Sequence, residues 1–305
     1  MPALSFSQVD SSYIGFYEQK LSVKLYLSKN FIWLSEVVEE DPEKDIVYMP
    51  NNPANLGVGL SWKNSVLSFS YGYGFDFLRD KEFGRTKSMD FQFHNYGRKH
   101  VIDLFIQKYK GFYIDEKDVI LYPDLQIRQY GLHGQYVLNG KKFSYRAALD
   151  QNEIQLRSAG SFTFGGGVYF TNIKTEEHSF LDDQHEINNF QFGISGGYAH
   201  TWVINKNWFI SGSVTVGINF GDESFRKFGS RNFGVSPTVF PRFSVGFDKY
   251  DWSLGLNYIN NFIFPSFSEN SHIGIFSGSF QLSFTRRFHT IPLIKVKENS
   301  LLNKL

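Results

Sequence analysis

Aspartate, histidine, serine and arginine recur at even spacings through the middle of this chain. In Asp90-Phe91-Gln92-Phe93-His94 the polar residues alternate with phenylalanine, so extended backbone sets Asp90, Gln92 and His94 on one face. The same parity continues with Asp103 and Gln107, then Gln129, His133 and Gln135, then Ser144 and Arg146. Lys24 and Arg242 bring further charge from the two ends of the chain. Histidine near carboxylate and serine is the material of nucleophilic catalysis, with His94 or His133 as base, Asp90 or Asp103 as orienting group and Ser144 as nucleophile. Against that stands the lack of a Gly-x-Ser-x-Gly elbow, and three polar types among many polar positions meet by chance. The competing role is electrostatic. Charges that share an interior need partners, and a hydrogen-bonded network of these residues would fill and rigidify it. The network is the expectation, and no catalytic residue is assigned.

Other chemistries find less support. His178 and His185 flank Asp182 and Asp183 in a stretch that also holds Glu176, Glu177 and Glu186, but the spacing matches no calcium loop. A solvated acidic loop is expected at 174–187, with no metal. Gly165-Gly166-Gly167 precedes neither a helix nor Lys-Ser/Thr, so it is no phosphate loop and reads as close packing, curvature or a bulge. The absence of cysteine excludes disulfides and thiol chemistry. A net charge of +1 from 31 basic and 30 acidic residues gives no field for nucleic acid. No cofactor is expected.

The elements that carry these residues alternate with period two. In Trp208 to Phe220 one face reads Trp208, Ile210, Val214, Val216, Ile218 and Phe220, and the other Ser211, Ser213, Thr215, Gly217 and Asn219. Such runs exceed the usual globular strand and suit a bilayer, where spanning strands must close into a barrel because hydrocarbon satisfies no open edge. The mean hydropathy of −0.28 fits strands that give half their residues to a polar interior. A soluble sandwich is the alternative for alternation alone, yet Trp62, Trp202, Trp208 and Trp252 each sit beside a short turn, as in an aromatic belt at one membrane interface.

Short turns at 63–64, 96–98, 139–140, 205–207 and 248–249 alternate with longer connections near 36–54, 75–86, 113–123, 174–187, 221–234 and 263–271. We place strands near 21–34, 55–63, 65–74, 87–96, 99–112, 124–138, 141–172, 188–203, 207–220, 235–247, 250–262 and 272–288. The result is an all-β, transmembrane, antiparallel up-and-down barrel of twelve strands, with fourteen as the alternative. It keeps 141–172 as one interrupted passage; splitting it would move later short turns to the outer rim. Residues 1–20 are expected as a periplasmic segment, 21–288 as the barrel and 289–305 as a periplasmic tail. The first twenty residues show no signal-peptide core, so a leader is expected to have been removed.

Several segments resemble domain-of-unknown-function family 4421, found in Bacteroidota. They are Leu21 to Tyr26, Asn55 to Gly59, Asp90 to Lys99 and Ser144 to Ala148, with Gln151-Asn152-Glu153 and Ser158 to Phe162 downstream. The likeness covers about Tyr13 to Phe288. It implies an outer-membrane setting and brings no activity or catalytic residue. Three functions stay open. The first is a non-enzymatic structural or accessory component of an outer-membrane assembly, with a closed lumen. The second is a small channel or transporter for polar or amphipathic solutes, and the third a lipid-acting enzyme. Expected partners are outer-membrane lipids and other outer-membrane or periplasmic proteins.

Overall fold

A computed structural model describes residues 9–19, 21–38, 45–62, 65–71, 80–176, 185–222, 234–267 and 271–289. In chain order its strands are β1 (Ile14–Gly15), β2 (Leu21–Val38), β3 (Ile46–Tyr48), β4 (Asn55–Trp62), β5 (Ser65–Tyr71), β6 (Lys87–Tyr96), β7 (His100–Asp115), β8 (Val119–Val137), β9 (Ile154–Gln155), β10 (Ala159–Lys174), β11 (Glu186–Val203), β12 (Trp208–Asp222), β13 (Gly234–Asp248), β14 (Trp252–Phe267) and β15 (Ser271–Phe288). Thirteen of them form one antiparallel sheet, twelve along the path β5-β4-β2-β15-β14-β13-β12-β11-β10-β8-β7-β6 and β3 beside β2 off that path. Neighbours are successive in the chain except where β15 meets β2, so the sheet is an up-and-down wall whose last strand returns to its first.

Period-two patterning produces this wall directly. On β12, Val214, Val216 and Ile218 are half exposed while Thr215 and Asn219 are buried. The exposed set recurs strand by strand: Leu25, Leu56, Leu132, Phe164, Ile194, Phe243, Leu256 and Leu282 all face outward. Apolar exposure over the described exterior, with Ser, Thr, Asn and Gln buried, reverses the pattern of a soluble domain. At one rim the connections are tight, with Gly97 N–H donating to His100 O at 2.7 Å, Ile204 to Trp208 at 2.9 Å and Lys249 to Trp252 at 2.8 Å. At the other rim β7 and β8 continue to Asp115 and Val119, so the expected 113–123 loop is mostly paired strand.

The ends of the strand order, β5 and β6, share no ladder pairs among the described residues. Segment 46–52 ties the wall together near the rim opposite the tight turns. β3 pairs with β2, Met49 exchanges backbone hydrogen bonds with Tyr113 at 2.8 and 3.0 Å, and Asn51 N–H donates to Thr86 Oγ1 at 2.7 Å. The bulge that turns β7 here centres on Gly111, whose φ of +90° and 2.5 Å distance from a hypothetical Cβ to Arg85 O leave room for glycine alone. Elsewhere aromatic rings lie over cross-strand glycines: Tyr26 over Gly57, Phe105 over Gly131 and Phe209 over Gly246.

One expectation needs correction. The passage 141–172 is not strand from its start, because β10 begins at Ala159 and the preceding residues leave the wall. Asn139 opens a turn in which Lys142 and Phe143 N–H donate to its carbonyl, and a π-helical turn at Arg146–Asp150 follows. Polar Gln, Asn and Glu side chains in 151–155 compete for backbone and wall partners, which favours a folded insertion over a ladder. The barrel parity survives, because the insertion returns to the rim it left.

Candidate functional site

The inner faces of β6, β7, β8 and β13 gather the charged residues into a layered lumen. Nearest the short-turn rim, Tyr96, Val101, Val137, Phe143, Tyr145, Ala148 and Leu149 pack in one apolar cluster. The next layer is ionic. Arg242 Nη2 lies 2.5 Å from Asp103 Oδ2, and His94 Nδ1 lies 2.6 Å from Asp103 Oδ1. Asp103 stands on β7 and Arg242 on β13 with four strands between them, so the pair is a strut across the lumen. In the same layer His133 Nε2 meets Ser195 Oγ at 2.9 Å, and Gln135 Nε2 donates to Thr215 Oγ1 at 2.7 Å.

Above it, Phe105, Tyr169, Phe240 and Ile263 form a second apolar layer. A polar layer follows, where Asp90 accepts from Gln92 at 3.0 Å, Gln107 at 3.0 Å and Tyr109 at 2.7 Å. Gln129 accepts from Ser277 at 3.1 Å, a contact from β8 to β15 across five intervening strands. Nearest the opposite rim, Ile32, Leu34, Ile127, Ile173, Ile273 and Ile275 are fully buried in a third apolar cluster. Alternating layers bring most of the named polar side chains to partners at their own level, although single atoms such as Gln107 Oε1, Gln129 Nε2 and His133 Nδ1 are buried without one.

The mouth at the short-turn rim is stopped by residues 143–155, which act as a cork. Its contacts reach five wall strands: Lys24 of β2 lies 3.6 Å from Asp150, Arg146 donates to Tyr96 O of β6 at 2.5 Å, and Ser244 of β13 donates to Ala148 O. Asn257 of β14 donates to Leu149 O at 3.1 Å, and Arg287 of β15 to Gln151 O at 2.6 Å. Within the cork, buried Glu153 accepts from Arg98 at 2.5 Å and from Ser144 at 2.6 Å. Gln151 holds a left-handed φ of 57°, uncommon without glycine, and its amide donates to Leu254 O at 2.7 Å. Burial pushes the Tyr145 hydroxyl above its usual range.

The N-terminal segment straps the cork from below. β1 pairs with β9, Leu156 N–H donates to Tyr13 O at 2.8 Å, and the Arg287 guanidinium stacks 3.5 Å from the Tyr17 ring. Asp10 begins the strap, and hydrogen bonds from the Ser12 hydroxyl and N–H hold its carboxyl below the usual range.

The structure therefore places Lys24, Asp90, Gln92, His94, Asp103, Gln107, Gln129, His133, Gln135 and Arg242 on the inner side of the wall. Arg146 and Ser144 are in the cork, not on a strand. Ser144 engages Glu153, His94 engages Asp103 and His133 engages Ser195, so the triad drawn from the sequence is not assembled. Gln151 and Glu153 enter the sequence reading only within the family resemblance, with no site role, and Ser195 and Arg287 do not enter it as site residues. The signal for the first two was a polar run inside an otherwise alternating stretch. Of the belt, Trp208, Phe247, Trp252 and Phe284 make a chain of ring contacts at 4.9, 5.4 and 6.2 Å, and Trp202 stands half exposed at the same rim. The Trp62 side chain lies outside the described residues, as do His178, Asp182 and Asp183 of the acidic loop. Among the described residues there is no cluster suited to a metal ion.

Fold and lumen together define a class: an antiparallel barrel of twelve strands, apolar outside, with a filled interior and one corked mouth. The chain belongs to the family described as Domain of unknown function (DUF4421), whose pattern matches residues 8–288. No curated protein matches the sequence. Among solved structures it is similar to the outer membrane protease OmpT from Escherichia coli, at 9% identity over 88% of this chain and 96% of that one, TM-score 0.38. It is also similar to the P. putida toluene transporter TodX, at 6% identity over 89% and 91%, TM-score 0.28. The outer membrane protein OprG from Pseudomonas aeruginosa matches at 9% identity over 90% and 99%, TM-score 0.23. Likeness at this level carries no activity to the present chain.

Proposed function

We propose that this chain is an integral barrel of the bacterial outer membrane and serves there as a non-enzymatic structural or accessory component of a protein assembly. The membrane reading rests on the exterior, where outward positions on every fully described long strand expose large apolar side chains above an aromatic belt. The accessory reading rests on one observation. The Asp103–Arg242 strut and the cork commit the lumen's charged residues to one another and to the wall. A transporter keeps such groups for its solute, and an enzyme keeps a nucleophile and base in reach of substrate. What remains to act is the surface: rim loops and the strapped inner face.

Extraction of native membranes in mild detergent, followed by size-exclusion chromatography and mass spectrometry, tests the role. A reproducible partner at fixed stoichiometry is expected. Recovery of the barrel alone, at the mass of one chain and under several detergents, would contradict the accessory role.

A further inference from the structure

Basic residues gather on one side of the outer face. β6, β7, β8 and β10 carry Lys87, Lys108, Lys110, Arg128 and Lys174 on the parity that lower down presents Phe91, Ile102, Leu132 and Phe164. The four lysines are exposed and the arginine is half-buried. β11, β12 and β14 contain no lysine or arginine, and the single one on β13, Arg242, points inward. The outward Lys29 of β2 stands apart, its Nζ donating to Asn52 O.

The ladders press these cations together. Lys110 stands opposite Lys87 of β6, Lys108 opposite Arg128 of β8, and Lys174 of β10 opposite Gln126. Like charges opposite one another on a sheet repel. No ion pair relieves any of the five among the described residues. Arg128 Nη2 donates only to the neutral Gln126 Oε1, at 3.1 Å. Two carboxylates border the patch and are engaged elsewhere: Glu186 accepts from Asn172 at 2.8 Å, and Asp124 accepts from Thr175 at 2.6 Å. Five cations against two carboxylates leave a surface that calls for anions.

We propose that this patch binds a lipid head group carrying two phosphates, in the leaflet at the rim opposite the tight turns. The depth is that of a head group. Lys108 lies eight residues beyond His100 at the tight-turn end of β7, about 20 Å along the membrane normal for tilted strands, beside the edge of an apolar band about 25 Å tall. On the same strands below it, half-exposed Tyr130, Leu132 and Phe164 offer a track for acyl chains. Four strands at about 4.8 Å spacing make the patch about 14 Å wide, more than one phosphate covers. Free phosphate or a hydrophilic polyanion would neutralise the cations and leave the apolar track bare, whereas a phosphorylated lipid covers both. The proposal rests on the membrane reading above.

Native mass spectrometry of the folded barrel, loaded from equal amounts of an acylated glucosamine disaccharide bearing two phosphates and the same lipid bearing none, reads the preference directly. The bisphosphorylated lipid is expected to be bound about ten-fold more, a modest ratio because the cations stay exposed. The double variant Lys108→Gln, Arg128→Gln is expected to lower the ratio to about two-fold or less. Lys206→Gln, the same loss of charge at an exposed tight turn, is expected to leave it unchanged. No preference in the wild type, a preference that survives the double variant, or an equal loss in Lys206→Gln overturns the proposal. Excess inorganic phosphate present during loading, at constant ionic strength, is expected to leave the ratio standing; erasure of the preference would make this a site for free phosphate and overturn the lipid. A barrel that inserts into vesicles and shows no preference keeps the membrane reading, whereas failure to insert removes both.

Discussion

Replacing Asp103 by asparagine should unfold this barrel far more readily than replacing its partner. Both side chains of the Asp103–Arg242 pair are 6% exposed, and no other carboxylate pairs with Arg242 among the described residues. Asp103→Asn keeps shape and volume but leaves a buried guanidinium without counter-charge, which costs about 3–5 kcal/mol. At 1.36 kcal/mol per decade that is a loss of roughly two to four decades in the folding constant. Arg242→Met leaves the carboxylate still hydrogen-bonded to His94 Nδ1, 2.6 Å away, so one polar partner remains. Its cost is expected nearer the 1.5–3 kcal/mol of a charged hydrogen bond. The double variant removes both charges and should sit within about 1 kcal/mol of Arg242→Met, a coupling of about 2 kcal/mol or more. Urea titration in lipid vesicles, followed by the fluorescence of the belt tryptophans and by heat-modifiable gel migration, measures all four states. If the lumen were water-filled, the pair would be screened, each single change would cost less than about 1 kcal/mol and the two would add. That outcome would refute the strut.

Three further expectations follow from the same geometry. Val216→Arg puts a charge on the exposed face and should cost about 2–4 kcal/mol of assembly, more than Thr215→Val, which removes the acceptor of Gln135 at a cost of about 1–3 kcal/mol; the reverse ranking in vesicle folding yields would invert the faces. Cysteines at Glu116 and Lys206 lie beyond opposite rims, so an impermeant maleimide should label the first on intact cells and the second only after the outer membrane is breached; labelling of Lys206 on intact cells would reverse the topology. A Cβ at Gly140 would lie 2.0 Å from Arg98 O, so Gly140→Ala should lower the unfolding free energy read by urea titration by about 1–3 kcal/mol while the barrel still forms; an unchanged stability would show that this turn is not packed as described.

The wall was legible in the sequence because side-chain period and strand geometry are the same fact. Trp208 to Phe220 sorts into two faces by parity alone, and eleven of the twelve barrel strands occur where the alternation puts them, with some extending beyond the expected ends. The exception is instructive. Residues 141–158 contain Phe143, Tyr145, Ala147 and Leu149 at even spacing, which mimics a strand, and parity carries no sign that Arg146 and Gln151 find wall carbonyls to bond. Long-range partners decide that segment, and they are invisible to local pattern. The lumen shows the same division. Parity turned Asp103, His133 and Arg242 inward, but which residue meets which depends on how the sheet curls. His133 therefore found Ser195 and not Ser144, and Arg242 reached Asp103 across four strands. Glu153 had no period to betray it, since its role comes from Arg98 on a neighbouring turn.

The sealed lumen is the centre of this account, and conductance tests it most directly. Purified barrel, shown folded by heat-modifiable migration, is inserted into a planar bilayer and held under voltage in simple salt. The cork, the strut and three apolar layers predict a membrane no more conductive than lipid alone. Sustained, solute-dependent current steps from the single chain would contradict the sealed barrel and make the chain a channel.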